Sequence, residues 1–505
     1  MQRAVIIGSG IGGSAAAMLL AHAGIQTTLV EKNRRVGGSC SGYEKQGFHV
    51  DIGTHMFCRG DKGPLGDVLR RVGEGGAIDF RRTTDIAELR FAREHELVSV
   101  AVPAELHRMP RFAWRLARAM QLPPIEAIRA ARLFTRILTM SDAEVEAWDH
   151  RTLDEFVGQY TDHGPTLGVF GFLLGLYFIL PFWQVSAGEA LHCFRAMAYD
   201  NNLSYPRGGS IAIPSTYVKL AERFGADVRV GTGVKRIDVH AGQVRAVELE
   251  DGTLLPASIV VSTSSLRTTV LRLVGASHFP ESYVDRVKRI KGSYIAVQAK
   301  IGLKKKLVAP GAICGGVGDQ VDMVSMSQTD LRRMFAALTE GRVPPIVPFY
   351  CPVPTNFDES LAPPGHQLLT ACAVAPTSDV ALDDPAPAWE DAMMRALGRV
   401  VPGLEENAVF VDRFSVAFIE KWIGKEFGPA VSTAQTPDQV GKNRPAVFAP
   451  IRGLYYAGCN AGARGVGTEL AAASAMECVD RILFDIGRDV AGRVRARSRS
   501  IALQT

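Results

Sequence analysis

The sequence predicts an α/β protein: a dinucleotide-binding parallel sheet of the Rossmann type, assembled from dispersed segments, with a mixed α+β domain inserted between them. Three observations lead there. A short apolar strand, Ala4–Ile7, runs into Gly8-Ser9-Gly10-Ile11-Gly12-Gly13 and then into an Ala/Leu-rich helical stretch. A second strand, Thr27–Val30, ends at the acid Glu31, and Gly37-Gly38 follows shortly after. Far down the chain, Leu454–Ala457 ends at Gly458 and leads into another glycine-rich turn and helix.

Each residue of the first motif has a physical task. Gly8 permits the tight strand-to-helix turn, Gly10 lets the backbone approach a pyrophosphate, and Gly13 lets the helix pack closely on the strand. Ser9, Ile11 and Gly12 complete the turn. The helix N-terminus presents N–H groups and a partial positive charge to phosphates. Glu31 stands where a carboxylate accepts hydrogen bonds from both adenosine ribose hydroxyls and disfavours a 2′-phosphate. Lys32 beside it, the double glycine Gly37-Gly38, and Ser39 complete the candidate contacts at this end. A glycine pattern alone is weak among 50 glycines, but placed between strand and helix with the spaced acid it predicts bound FAD.

Composition narrows the class. A chain of 505 residues suggests about two to four domains. The net charge of +5 is too diffuse to point to nucleic acid. The eight cysteines include no CxxC pair and no metal-ligand spacing, so no metal and a reduced cytoplasmic setting are expected. Residues 4–20 are apolar but carry the glycine pattern and no cleavage site, so no signal peptide is expected. One run, Pro165–Trp183, has no charge across 19 residues. Its glycines and Pro181 favour a buried helix lining an apolar cavity over a membrane span or a helix dipping into one leaflet.

Strand signals distribute the chain. Asp227–Val230, Ser258–Val261 and Leu454–Ala457 join the first two strands, and Asp251-Gly252 marks a hairpin between Val244–Leu249 and Thr253–Leu255. The FAD-binding domain is then 1–70, 205–275 and 445–487, and the substrate domain is 71–204 and 276–444. Residues 108–138 alternate arginine with large apolar groups at helical spacing, which suits either an anionic membrane surface or a solvated helix pair. The basic tail, 488–505, carries Arg488, Arg493, Arg495, Arg497 and Arg499, and is expected to fray.

Three further stretches carry a resemblance. They are Pro206-Arg207-Gly208-Gly209-Ser210 with Ile213-Pro214, Thr436-Pro437-Asp438-Gln439 leading to Arg444-Pro445 and Gly453–Gly458, and Gly47–His55. In this order along essentially the whole chain, they resemble the FAD-dependent phytoene desaturases, carotenoid isomerases and retinol saturases. The resemblance implies that the Val234 backbone meets the adenine. It also implies that Gly458, Asn460, Gly467 and Thr468 border the flavin, with the positive end of a helix at Gly467 facing its pyrimidine ring. Many related flavoproteins carry Asp after that glycine; here Cys459 and Asn460 follow. The surroundings of Cys459 do not match those of a covalent flavin link.

By the same resemblance the chain is an oxidoreductase acting on carbon–carbon bonds of an unsaturated, largely apolar, carotenoid- or isoprenoid-like substrate. A hydride passes to flavin N5 and the adjacent carbon loses a proton. The alternatives are a redox-neutral isomerase or saturase using reduced FAD, an amine-oxidase-type flavoenzyme, and a flavin-carrying binding protein. Gly315-Gly316-Val317-Gly318 lacks a strand–helix frame, so no NAD(P) is expected, and quinone or oxygen is the expected electron acceptor. His55 and Glu469 are the candidate acid–base residues, each with a structural alternative: backbone bonding for His55, and a favourable helix-end charge for Glu469. His192 and Arg195, three apart on one helical face, are candidates for a polar substrate end or a surface pair. The expected location is cytoplasmic, with association to a membrane surface as an open option.

Overall fold

The computed structural model describes residues 2–53, 57–93, 96–318, 327–376, 386–414, 416–426 and 429–488. The candidate acid–base residue His55 and the tail beyond Arg488 lie outside the described residues.

Five strands make one parallel sheet: β1 (Arg3–Ile7), β2 (Gln26–Glu31), β3 (Asp227–Val230), β4 (Ile259–Ser262) and β5 (Leu454–Tyr456). Their order is β5-β4-β1-β2-β3. Ile6 of β1 sits between Leu29 of β2 and Val261 of β4. The order reverses at β1, so the carboxyl ends of β1, β2 and β4 open a crevice of the kind that takes a dinucleotide. Helix α1 (Ile11–His22) covers one face. It is apolar all round, and Ala15, Ala16 and Ala17 are fully buried between the sheet and the helices Ala212–Arg223 and Gly467–Asp485. Against the other face lies a three-stranded antiparallel sheet, Val234–His240, Gln243–Leu249 and Leu254–Pro256. Its tight turn carries Gly252 at φ +86°, a conformation that glycine adopts without strain.

The second body is a seven-stranded sheet in the order Ala408–Phe414, Ile295–Leu303, Gln367–Ala375, Ile346–Pro352, Ala312–Gly318, Asp85–Arg93, Glu96–Pro103. All pairings are antiparallel except Ala312–Gly318 with Asp85–Arg93. The Gly315–Gly318 stretch is thus a strand of this sheet, where a side chain at Gly315 would meet the Arg90 carbonyl. Val297, Ala299 and Ile301 pack on Trp389 and Met393 of helix Ala386–Val400. Alternation turns Gln298 and Lys300 to the other face, where Lys300 Nζ donates to Gln298 Oε1 at 2.8 Å. Burial pushes the Lys300 amine down to about 7, against the pull of Asp51.

The helices over this body are α2 (Met109–Ala119), α3 (Pro124–Thr139), α4 (Gly164–Phe178) and α5 (Ala187–Asp200). Pro123-Pro124 separates α2 from α3, since a proline is tolerated only in a first turn. The uncharged run forms α4, with Pro165 in its first turn, and the chain turns away at Ile179 (φ +52°). Among the described residues no helix is long and apolar enough to cross a membrane. Helix Gly467–Asp485 is α6. Among the described residues no disulfide links any of the eight cysteines.

Candidate functional site

The first glycine turn is packed from behind and open in front. A Cβ on Gly13 would lie 1.9 Å from the Gly8 carbonyl oxygen, and one on Gly12 would lie 2.9 Å from Gly458 Cα. A Cβ on Gly10 would meet nothing within 4 Å. Space for a phosphate therefore exists at the one glycine where the backbone must approach it. Behind the turn, Ser9 N–H and Ser9 Oγ donate to Glu31 Oε2 at 2.9 and 2.7 Å, and Asn33 N–H donates to Oε1 at 2.9 Å. Gly37 N–H donates to Ser9 Oγ at 3.2 Å, which ties the double glycine to the same point. Gly38 lies against Gly10, with a built Cβ 3.2 Å from Gly10 Cα. Ser39 follows at the start of a short 3₁₀ turn, and its carbonyl accepts from Gly53 N–H at 3.1 Å.

A strap that the sequence did not announce crosses this region. Helix Val416–Ile423 holds Asn33 Nδ2 through the Trp422 carbonyl (3.0 Å), accepts from Lys32 Nζ through Lys421, and donates from Trp422 Nε1 to Ser41 Oγ at 2.8 Å. Burial lowers the Lys32 pKa, against the opposing pull of Glu31 and Glu250. Two of the resemblance stretches also meet: Asp51 accepts from Ser210 N–H at 3.1 Å and from the Tyr205 hydroxyl. Val234 stands at the head of its strand opposite Leu249, half-buried against the core beneath the sheet.

The second turn meets the first at Gly458 (φ +112°), which faces Gly12. Cys459 Sγ donates to the Gly467 carbonyl at 3.0 Å, and burial pushes its thiol pKa up. Asn460 Oδ1 accepts from Thr433 Oγ1 at 3.2 Å. Gly467 (φ +56°) and Thr468 open α6 half-exposed, and a Cβ on Gly467 would meet nothing. The free N–H groups and positive pole of α6 are thus presented outward beside Gly458.

One residue further, Glu469 is 6% exposed, and its Oε1 accepts from Arg59 N–H at 3.1 Å. Burial pushes its carboxyl up to about 7, against the opposing pull of Arg59. The Arg59 guanidinium is held by Asp200 of α5 at 2.5 Å. Cys58, Cys193 of α5 and Tyr177 of α4 feel the Glu469 charge, and burial raises all three of their pKa values. A near-neutral acid therefore sits where α6, α5 and the uncharged α4 converge. Arg59, Asp200, Cys193 and Tyr177 were not singled out from sequence; only Tyr177 had a signal, as the single hydroxyl between the first and last thirds of the apolar run.

The α5 candidates separate. Arg195 donates to the Met140 carbonyl and pairs with Asp142, both beyond the end of α3. His192 stays half-buried; burial lowers its pKa, Glu189 opposes that, and Arg464, Arg59 and Arg195 reinforce it. Glu189, one turn earlier on α5, is fully buried. Its Oε1 accepts from Gly465 N–H at 2.6 Å and lies 3.2 Å from Arg444 Nη2, while Arg464 bridges Glu189 (3.6 Å) and Asp149. This cluster clamps the second glycine turn to α5. Glu189→Ala is expected to destabilise the fold by about 3–5 kcal/mol, because two guanidinium groups lose a buried counter-charge. A denaturant titration beside the parent protein checks it.

The two glycine turns meet at Gly12 and Gly458 with the spaced acid behind the first, and a comparison with known families decides the owner of this site. The family model described as flavin containing amine oxidoreductase matches residues 11–483. The chain belongs to this family. As a flavin containing amine oxidoreductase family member it binds FAD, and the open front of Gly10 and the exposed pole at Gly467 fit that cofactor. A zeta-carotene-forming phytoene desaturase of Myxococcus xanthus is 24% identical over 91% of this chain and 90% of its own length. A phytoene desaturase of Fusarium fujikuroi is 25% identical over 72% of this chain and 64% of that protein, so the chain spans less than two thirds of that relative. An oxidoreductase of Methanosarcina mazei shares the fold, with a TM-score of 0.71, 17% identity, and coverage of 95% of this chain and 100% of that one.

Proposed function

We propose that this flavoprotein acts on a carbon–carbon bond of a long, apolar, unsaturated substrate of the carotenoid or isoprenoid kind, removing a hydride and a proton from adjacent carbons. The observation that carries the reading is Glu469, a buried carboxyl poised at about 7 between the pole of α6 and the uncharged helix α4. Relatives named phytoene desaturase support it.

Bound FAD supplies the two-electron acceptor. The residues that would hold it are Gly8–Gly13, Glu31, Lys32, Gly37–Ser39, Val234, Gly458, Asn460, Gly467 and Thr468. The chain's own residues do the rest. Helix α4 and the buried cysteines exclude water from the Glu469 carboxyl and keep it near neutral, the range in which a carboxylate works as a general base. The backbone N–H groups of Arg59 and Cys58 hold the Glu469 carboxylate in place to take the proton from the carbon next to the reacting one. The N–H groups at Gly467 favour negative charge at the crevice, which assists hydride departure from the substrate. The final electrons pass to a quinone or to oxygen.

The test is an anaerobic titration of the purified holoprotein with candidate polyenes. Bleaching of the flavin band at about 450 nm by one of them is expected. Polyene turnover only after prior chemical reduction of the flavin would replace this reading with an isomerase or saturase. Reduction by amines but not polyenes would replace it with an amine oxidase.

A further inference from the structure

We infer that α2 and α3 form a docking face for an anionic phospholipid bilayer. The inference rests on the proposed apolar substrate, which has negligible solubility in water and must be collected from lipid.

Among the described residues, six of the sixteen exposed large apolar side chains fall between Met109 and Leu138. Trp114 is 60% exposed, Ile125 54%, Ile128 50% and Phe134 54%. On α3 the positions 125, 128, 131, 134 and 138 follow helical spacing around the outer arc, while Leu133 and Ile137 point inward to a separate core. Tyr199 of α5, itself exposed, extends the patch and donates its hydroxyl to the Leu138 carbonyl at 2.6 Å. Exposed large apolar side chains gathered on these two successive helices and on Tyr199 mark an interaction surface.

The charge selects the partner. Arg111, Arg115 and Arg118 lie on α2 and Arg132 on the outer arc of α3. Among the described residues, Arg111, Arg115 and Arg132 have no carboxylate partner, and Arg118 lies 5.6 Å over the Trp114 ring. The nearby carboxylates are engaged elsewhere: Glu105 with His107 and Arg108, Glu126 with Arg129, Asp142 with Arg195, Glu144 with Arg136. Arginines interleaved with Trp, Ile, Phe and Leu on amphipathic helices match a headgroup region that is negative outside and apolar beneath. A protein partner of ordinary composition has no need of both.

The location adds a use. Helix α3 packs on α5, and α5 carries Asp200, which holds Arg59, and Cys193, which feels the Glu469 charge. A bilayer seated on α2 and α3 is therefore one helix away from the candidate site.

The experiment is co-sedimentation of the holoprotein with vesicles of equal parts phosphatidylcholine and phosphatidylglycerol, beside phosphatidylcholine alone, at low and high salt. Binding is expected only to the mixed vesicles, and weaker at high salt. Trp114→Ala with Ile128→Ser should lower partitioning by about tenfold or more. Arg111→Gln, Arg115→Gln and Arg132→Gln should each lower it about fivefold at low salt. All these side chains are exposed, so flavin absorbance and thermal midpoint should be unchanged. Brominated lipid should quench tryptophan fluorescence in the parent and much less in Trp114→Phe. Equal binding to both vesicle types, or no loss in the variants, overturns the proposal. A dimer that the same substitutions convert to monomer, without vesicle binding, assigns the face to a second copy. Flavin bleaching by detergent-dispersed polyene without vesicle binding sinks the docking face and leaves the proposed reaction standing; vesicle binding without any polyene reaction does the reverse.

Discussion

Glu469→Gln should lower turnover about a hundredfold or more and abolish the rise of rate with pH. The carboxyl is pushed up from 4.5 to about 7, so in the parent the carboxylate that takes the proton is populated only as pH passes through about 7. The amide cannot ionise, and the limb should vanish. The same substitution carries a stability signature of the opposite direction. A carboxyl whose pKa is raised by folding holds its proton in the native state, so the parent loses stability as pH climbs from about 4.5 through about 7. At pH above both values the cost is on the order of 3 kcal/mol, and the amide escapes it. Thermal midpoints of parent and variant should therefore coincide at acid pH, with the variant higher at alkaline pH. Steady-state rates across the pH range and melting curves at the two extremes check both halves. An unchanged rate with a raised midpoint would leave Glu469 structural and return attention to His55.

Gly10→Val should fold and fail to hold FAD, weakening binding by roughly a hundredfold or more. Gly10 has φ −61° and an extended ψ, which valine adopts readily. Nothing in the protein contests the added Cβ, so its cost falls on the ligand, whose pyrophosphate needs that space. Gly13→Val is the contrasting control. Its Cβ would fall 1.9 Å from the Gly8 carbonyl oxygen, and α1 could not seat on β1. Circular dichroism of each apoprotein and fluorescence titration with FAD separate the two outcomes. Full retention of FAD by Gly10→Val would contradict the phosphate position assigned to this turn.

The parts of the molecule legible in sequence are those whose causes are local. The β1–turn–α1 unit follows from glycine spacing, and the Asp251-Gly252 hairpin from a turn that needs positive φ. β4 and β5 were readable as short apolar runs followed by small polar residues or by glycine, and β3 as alternating Asp-Val-Arg-Val before Gly231. The seven-stranded sheet was not readable. Gln367–Ala375 is buried along its whole length and shows no alternation, and Ala312–Gly318 pairs with Asp85–Arg93, more than two hundred residues earlier. The site divides the same way. Glu469 announced itself by following the second glycine turn. Its partner Arg59 lies 410 positions away, and Asp200, Tyr177 and Glu189 acquire meaning only when α4, α5 and α6 converge. Arg195 shared a helical face with His192 in sequence, but a long side chain reaches sideways, and the Met140 carbonyl and Asp142 hold it at the end of α3.

The seating of Gly12 against Gly458 sets the order of events during synthesis. Residues 3–30 are made as a strand–turn–helix–strand unit long before its partners, and α1 lacks α6 on its flank and β4 lacks β5 at its edge until residues 454–485 emerge. Until then the nascent nucleotide fold exposes an open sheet edge and the apolar side of α1, surfaces that chaperones recognise and that aggregate when left uncovered. The crevice between the two glycine turns is therefore complete only once residues 454–485 have been made.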